Sequence, residues 1–347
     1  MAVYTTIDDS GLYFNTKLYT GTGSSLANTG VGFQPDWVWI KGRSGATEHV
    51  LTDSVRGVTK ELSSDDTGAE ETVAQGLTAF GSDGFTVGTD GSYNTSSATY
   101  TSWNWKAGTT SGIVTNASTD ITPSAYSFNQ TAGFNVFKFT GAGNSGDTVA
   151  HGLGAIPEFI IIKVTGTTHG WITYHGALGG TKNLNLETSN GAATAISRWN
   201  NTNPDSVNIT LGNSNNVNGA STEYICYAFS GKQGYSKFGE YTGNGNAAGP
   251  FVYTGFKPAF LMCKRTDDAS EWSMFDNKRN TFNVVNHHVY ADLPNAEGDD
   301  DDLDFTANGF KFRRDAGNTN GSGATYIYAA FAEAPFVNSN GVPCNAR

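Results

Sequence analysis

Three segments of the chain repeat the same succession of motifs, and this repetition limits the possible folds more than any other feature of the sequence. Each segment has an aromatic residue followed by Thr-Gly, then a glycine and a proline leading into an apolar run that ends in Lys, and later a strand-like run that begins with Tyr. The apolar runs are GFQPDWVWIK, GAIPEFIIIK and GFKPAFLMCK. The glycine of the first motif precedes the proline by 14, 16 and 15 residues, and the proline precedes the closing tyrosine by 65, 67 and 68. These spacings predict three copies of one structural unit.

The repeats divide the chain into six segments. Residues 109–133 are rich in Ser, Thr and Asn, which is typical of a linker or an additional edge segment. Units two and three are joined only by KQG at 232–234, so we expect them to pack rigidly against each other. The predicted segments are an N-terminal arm (1–14), unit one (15–108), the linker or edge segment (109–133), unit two (134–231), unit three (235–336) and a C-terminal tail (337–347).

Short strands are the only regular elements that the pattern within each unit favours. Unit two contains six runs rich in β-branched and aromatic residues, FNVFKFT, EFIIIKV, GWITYHG, KNLNLET, SVNITLG and EYICYAFS, separated by turn-forming residues. The chain has 43 glycines, 12% aromatic and 15% charged residues, which is typical of an all-β protein with many turns. The sequence therefore predicts an all-β fold of three tandem antiparallel β-sandwich units, with either a jelly-roll or a lectin-like outline.

The tryptophans of the first apolar run are interpreted as core residues. Trp37 and Trp39 align with Phe159 and Ile161 in unit two. A platform that stacks a ligand would need an aromatic face, and Ile161 does not provide one. A core strand needs only apolar volume, so the exchange of Trp for Ile favours the core. The closing strands contain Trp105, Phe229 and Phe331, five residues after their tyrosines and hence on the opposite face.

Charge and motifs argue against several classes of function. A net charge of −11 without a Lys/Arg cluster is unsuited to nucleic acid or an anionic membrane. The sequence has no local catalytic, phosphate-binding or zinc motif, so we predict no enzymatic activity and no catalytic, cofactor-binding or metal residues. Glycosidase carboxylates could still come together from different strands. The six histidines are expected on exposed loops or strand ends, and Cys226 and Cys263 as buried small hydrophobic residues.

Two features of the sequence are candidate ligand sites. The acidic run Asp299–Asp304 could collect oxygen ligands for Ca²⁺, but its spacing departs from an EF-hand loop and a solvated acidic loop is favoured. Trp199 lies in a polar stretch, SRWNNTNPD, and is the preferred exposed aromatic for a sugar. Trp171 and Trp272 align with each other, 14 residues after their prolines, whereas unit one has Glu48 or His49 there. This difference favours a packing role for both tryptophans.

The two ends of the chain indicate how the protein is targeted and where it could dock. The N-terminal MAVYTTIDDSG has no basic region followed by an apolar stretch, so we expect no signal peptide and synthesis in the cytoplasm. The sequence contains no run of 18 apolar residues, so it predicts no membrane-spanning helix. Both terminal segments lie outside the repeats and are candidates for docking to neighbouring proteins, since terminal arms order readily only against a partner.

The repeated phrases resemble a known family. GFQPDWVWIKGRSGATEHVLTDSVRG, GFTVG and WNWKAG, together with YSKFGEYTGNG and TYIYAAFAEAPF, are similar to β-rich repeat domains of tail-fibre and virion structural proteins from tailed, often marine, bacteriophages. The resemblance covers residues 15–108 and 134–336. It implies a virion structural protein, most often a tail fibre or tail-associated component for assembly and host attachment, and it implies no catalytic residues.

Partners and alternatives follow from this resemblance. It implies localisation in the virion, contacts with other virion proteins and a homo-oligomer, which would be a trimer if the protein is a fibre. It also leaves a host surface glycan open as a ligand. The chain lacks a heptad shaft or collagen-like tract, so a short tail fibre, a tail-tip protein or a capsid-bound fibre or decoration protein all stay open. A carbohydrate-binding module and a polysaccharide depolymerase are the alternatives from other classes.

Overall fold

The computed structural model describes residues 4–300 and 303–345, and its regular structure is almost entirely antiparallel β-strand. The prediction of an all-β fold is confirmed. All six runs predicted in unit two contain strands, since β-branched and aromatic side chains favour the extended backbone. Only single helical turns interrupt the strands: α1 (Gly91–Asn94), α2 (Ile196–Trp199) and α3 (Gly317–Asn320), with a 3-10 turn at Ser10–Leu12.

The strands of the three units follow the repeats. Unit one contains β1 (Phe14–Thr20), β2 (Leu26–Thr29), β3 (Trp37–Gly42), β4 (Val50–Asp53), β5 (Lys60–Glu61), β6 (Glu71–Thr72), β7 (Leu77–Gly81), β8 (Gly84–Val87) and β9 (Thr99–Trp105). The next strands are β10 (Ala125–Asn129), β11 (Phe134–Thr140), β12 (Thr148–Ala150), β13 (Phe159–Val164), β14 (Ile172–His175), β15 (Lys182–Asn185), β16 (Ala193–Thr194), β17 (Asn208–Thr210) and β18 (Glu223–Phe229). Unit three contains β19 (Ser236–Thr242), β20 (Phe251–Tyr253), β21 (Phe256–Arg265), β22 (Ser273–Asp276), β23 (Val289–Tyr290), β24 (Leu303–Thr306), β25 (Gly309–Phe312) and β26 (Thr325–Pro335).

Each unit has one main sheet with the same strand order. The order is β1-β9-β3-β4 in unit one, β11-β18-β13-β14 in unit two and β19-β26-β21-β22 in unit three, with further edge strands in the last two. The strand that closes each repeat is therefore central in its sheet, beside the strand that follows the proline. This position explains why both strands are apolar on both faces.

One face of each main sheet packs against a smaller sheet of the same unit. The small sheets are β2-β8-β7, β12-β17 and β20-β25-β24. In unit one, Val38 and Tyr100 of the main sheet share a buried cluster with Phe85 and Val87 of β8. Equivalent clusters lie inside units two and three. The closing tyrosines belong to these local cores, as the alternation of side chains predicted.

The opposite faces of the three main sheets meet in one shared core. Trp37 lies 4.4 Å from Trp105 and 4.3 Å from Tyr227 of unit two, measured between ring centroids. Phe229 of unit two lies 5.6 Å from Phe331 of unit three. The rings leave a void of only about 10 Å³. Trp37 and Trp39 are each 1% exposed, so their assignment to the core is confirmed.

The segments outside the repeats pack onto the same body. Ile7 is buried in the shared core, and Ser339 donates from its backbone to Asp8 at 2.7 Å. The described parts of both arms therefore contact the body of their own chain. Within 109–133, residues 125–129 form the edge strand β10 against β11, and Ile121 is buried in the local core of unit two.

Candidate functional site

The lysine that ends each apolar run is buried at a boundary between units. Lys41, Lys163 and Lys264 are fully buried, because the alternation of the strand places them on the same face as the shared-core residues before them. Each ammonium group donates to a backbone carbonyl of the neighbouring unit. The acceptors are Pro294 for Lys41 at 3.1 Å, Thr67 for Lys163 at 3.1 Å and Ser189 for Lys264 at 3.0 Å.

A carboxylate accompanies each of these lysines. Asp65, Glu187 and Asp292 accept backbone N–H bonds at 3.0, 2.9 and 2.9 Å from the residues at the aligned position 14 after each proline. Burial lowers the pKa of all three lysines to about 8, and the nearby carboxylates only partly oppose this effect. Burial also raises the pKa of Asp65 to about 6 and that of Asp292, which lies beside Glu271, to about 8.

The side chains 14 residues after each proline also form hydrogen bonds to a neighbouring unit. Trp171 Nε1 donates to the carbonyl of Ser63 at 2.8 Å, and Trp272 Nε1 donates to that of Asn185 at 3.0 Å. In unit one His49 takes the same place, with Nε2 at 2.8 Å from the carbonyl of Tyr290. Since Trp39 donates to His49 Nδ1, the proton of His49 lies on Nε2 and points at that carbonyl. The packing interpretation of Trp171 and Trp272 agrees with this geometry.

Units one and three each contain a buried Asp–Arg pair that a side chain of a neighbouring unit contacts. Arg56 Nε binds Asp53 Oδ2 at 2.5 Å in unit one, and Arg279 Nε binds Asp276 Oδ2 at 2.6 Å in unit three. Unit two has His175 and Leu178 at the aligned positions. There His175 Nε2 lies 3.1 Å from the carbonyl of Tyr328 in unit three. Each unit therefore contacts both of the others in a closed cycle.

The expectation of exposed histidines is wrong for four of the six. His49, His151, His175 and His288 are at most 3% exposed. His151 shows the reason. Its Nε2 lies 3.0 Å from the carbonyl of Asp205, so a backbone hydrogen bond takes the place of the hydrogen bonds that water would make to an exposed ring. Burial lowers the pKa of His151 and His175 to about 4, so both are neutral near pH 7. Cys226 and Cys263 are buried, as predicted.

Trp199 is not the exposed aromatic that its polar neighbours suggested. It is 1% exposed and packs edge-on against Tyr174, with 5.7 Å between ring centroids. The turn α2 ends at Trp199 and is capped by Asn200, whose left-handed conformation (φ 49°) stops the helix. With Trp171 and Trp272 also buried, none of the three tryptophans is available to a sugar in this conformation.

The acidic run is partly described. Asp301 and Asp302 lie outside the described residues. Of the rest, Asp300 lies 3.6 Å from His288, and Asp304 lies 3.5 Å from Arg313. The neighbouring Glu297 binds Arg43 of unit one at 2.9 Å. In the part of the chain that the structure describes, no three His, Cys, Asp or Glu side chains form a group suited to a metal ion.

Two surface grooves lie where one unit passes into the next. The first, of about 560 Å³, is lined by Asp36 and Ser54 of unit one and by Ser127 of β10. The second, of about 340 Å³, lies between units two and three. We call it the tyrosine groove, defined by Tyr4, Glu158, Lys232, Lys237 and Tyr253. Sequence reasoning missed it, although the aromatic alternation in FVYTG on an edge strand was a possible signal.

Comparison with known proteins places these features within one family. Residues 9–335 match the family model described as "Domain of unknown function (DUF7483)". The chain belongs to this family. A single DUF7483 match covers all three units, including the buried lysines and their partners, whereas Tyr4 lies before it. No curated protein and no solved structure matches the chain. Among the described residues, no helix is long and apolar enough to cross a membrane.

Proposed function

We propose that this DUF7483 protein is a bacteriophage virion structural protein that serves assembly and host-surface attachment, either as a tail-associated component or as a capsid-bound decoration protein. The resemblance of the repeated phrases supports the phage origin. The observation that carries the structural role is the use of the buried polar groups: at each boundary, a lysine and a ring nitrogen of one unit bond to backbone carbonyls of the next. These buried groups therefore stabilise the packing of the three units against one another.

The closed cycle of units favours an appendage made from a single chain. In a trimeric fibre, three chains surround an axis and bury their apolar faces against one another. Here the three main sheets of one chain already bury those faces in the shared core. We therefore favour a monomer that is added to the particle, with the trimeric fibre as the alternative. Light scattering distinguishes the two, because one chain has a mass of 36.8 kDa.

Purified particles of the phage that encodes the chain provide the decisive test. Quantitative mass spectrometry of density-purified, salt-washed virions should detect the protein at a constant ratio to the major capsid protein, and immunogold labelling should place it on the tail or the capsid. A protein found only in the lysate, with none on washed particles, would refute the proposal.

A further inference from the structure

We infer that the tyrosine groove is a binding site for an acidic oligosaccharide, meaning a sugar chain that carries carboxylates. This inference deepens the proposed role in host-surface attachment and rests on it. The ligand class follows from three properties of the groove: exposed tyrosine rings, an excess of ammonium groups and a rigid frame.

Two tyrosines present flat rings to solvent at the groove. Tyr4 is 51% exposed and Tyr253 is 53% exposed, in a chain whose seven tryptophans are all buried. A tyrosine offers an apolar ring face beside a polar hydroxyl, which suits the C–H face and the hydroxyl groups of a sugar. Lys237 holds Tyr253 in place, since its Nζ donates to the Tyr253 carbonyl at 2.7 Å and lies 5.4 Å from the ring centroid.

The groove carries a local positive excess on an acidic protein. Lys232 and Lys237 line it together with one carboxylate, Glu158, which accepts a bond from the backbone of Gly231 at 3.1 Å. Lys232 Nζ makes no hydrogen bond or ion pair with any residue of 4–300 or 303–345. Burial lowers the pKa of Lys232, and a ligand carboxylate beside it would favour its charged form. In a chain with a net charge of −11, the two lysines give this groove a local positive charge that attracts an acidic glycan.

The frame of the groove is already formed without a ligand. Lys232 and Ser236 exchange backbone hydrogen bonds at 3.0 and 2.9 Å, and the buried Tyr235 anchors the turn between them. A Cβ at Gly231 would lie 2.6 Å from Glu158 Oε1, and one at Gly234 would lie 2.8 Å from Thr5 Oγ1. Both glycines therefore allow close approaches that fix the carboxylate and the N-terminal segment. A site that is formed in advance loses little conformational entropy on binding.

The groove between units one and two has a different balance of charge, since one lysine, Lys106, lines it together with one carboxylate, Asp36. Its carboxylate, Asp36, accepts bonds from Ser54, Ser127 and the backbone of Ala107 at 2.8, 2.8 and 2.7 Å. Because the two oxygens of Asp36 are already engaged by three protein donors, the carboxylate serves the junction itself. The inference is therefore restricted to the tyrosine groove.

Isothermal titration calorimetry tests the inference with the full-length protein. The acidic probes are 3′-sialyllactose and trigalacturonate, and the neutral counterparts are lactose and maltotriose. We expect saturable binding of at least one acidic probe, with an affinity about tenfold or more above that of its neutral counterpart. Tyr253→Ala and Lys232→Gln should each weaken that binding by about tenfold.

Matched controls separate the groove from the rest of the surface. Phe251→Ala removes an exposed aromatic from the same strand, and Lys182→Gln removes an exposed lysine of unit two; both should bind like the wild type. Absence of binding by both acidic probes, or binding that Tyr253→Ala and Lys232→Gln leave unchanged, overturns the inference. Neither result affects the detection of the protein on purified particles, so the proposed function can survive the failure of this site.

Discussion

The phenol of Tyr227 in unit two donates a hydrogen bond of 2.8 Å to Asp53 Oδ2 in unit one, and both side chains are fully buried. The same oxygen binds Arg56 of unit one. At the next boundary Trp103 Nε1 of unit one lies 3.1 Å from Asp276 Oδ2 of unit three, which in turn binds Arg279. Two buried ion pairs thus depend on a donor from a neighbouring unit, which couples the stability of the units to one another.

Tyr227→Phe should lower the free energy of unfolding by about 2 kcal/mol, because it removes a buried hydrogen bond to a charged group. Urea titration followed by tryptophan fluorescence measures the change. Tyr174→Phe is the matched control, since the Tyr174 phenol has only a long contact of 3.5 Å with Asn203. Equal effects of the two substitutions would contradict a specific role for the bond between Tyr227 and Asp53.

Asp276→Ala should cost about 3–5 kcal/mol, because it leaves a buried guanidinium, that of Arg279, without its carboxylate and also removes the partner of Trp103. Asp267→Ala breaks an exposed ion pair with Arg265 and should cost less than about 1 kcal/mol. Thermal and urea unfolding of both variants give the comparison. A loss below about 1 kcal/mol for Asp276→Ala would show that the buried pair does not support the boundary.

The shared core predicts one cooperative unfolding transition for all three units. Urea curves from tryptophan fluorescence and far-ultraviolet circular dichroism should coincide. An isolated fragment of residues 15–108 should not fold, because the face of its main sheet that carries Trp37 and Trp105 would lose its cover from units two and three. Two separated transitions, or a folded fragment with dispersed amide resonances, would contradict this expectation.

Lys163 should make stability rise with pH on the alkaline side of neutrality. Burial lowers its pKa to about 8, whereas the unfolded chain keeps the ordinary value of 10.5. Between these values the unfolded state binds more protons than the folded state, so the free energy of unfolding increases with pH. Relative to Lys163→Met, the wild type should therefore gain up to about 1 kcal/mol per pH unit above pH 8.

Urea titrations at intervals from pH 7 to pH 9.5 measure this gain. Lys182→Met, at an exposed position, is the control and should follow the wild type in parallel. If the curves of the wild type and Lys163→Met also run parallel, Lys163 keeps its ordinary pKa in the folded protein and the prediction is wrong.

Local patterns account for the parts of the fold that the sequence predicted. The exchange of Trp39 for Ile161 between copies favours a core position for Trp37 and Trp39 over an aromatic platform. The same local reasoning failed for Trp199 and for four histidines, His49, His151, His175 and His288. Their neighbours in sequence are polar or mixed, and their burial depends on atoms that are distant in sequence, such as the carbonyl of Tyr290 for His49.

By itself, the sequence determined the number of repeats, the all-β fold and the apolar faces of the strands. The two-residue period of a strand is a local pattern, so neighbouring residues are enough to recognise it. Only the tertiary structure decided that the three units close around one core and that Lys41, Lys163 and Lys264 are buried between them. The acceptors of these lysines are backbone carbonyls of Pro294, Thr67 and Ser189. A backbone carbonyl is present in every residue, so its role as a partner has no signature in the sequence.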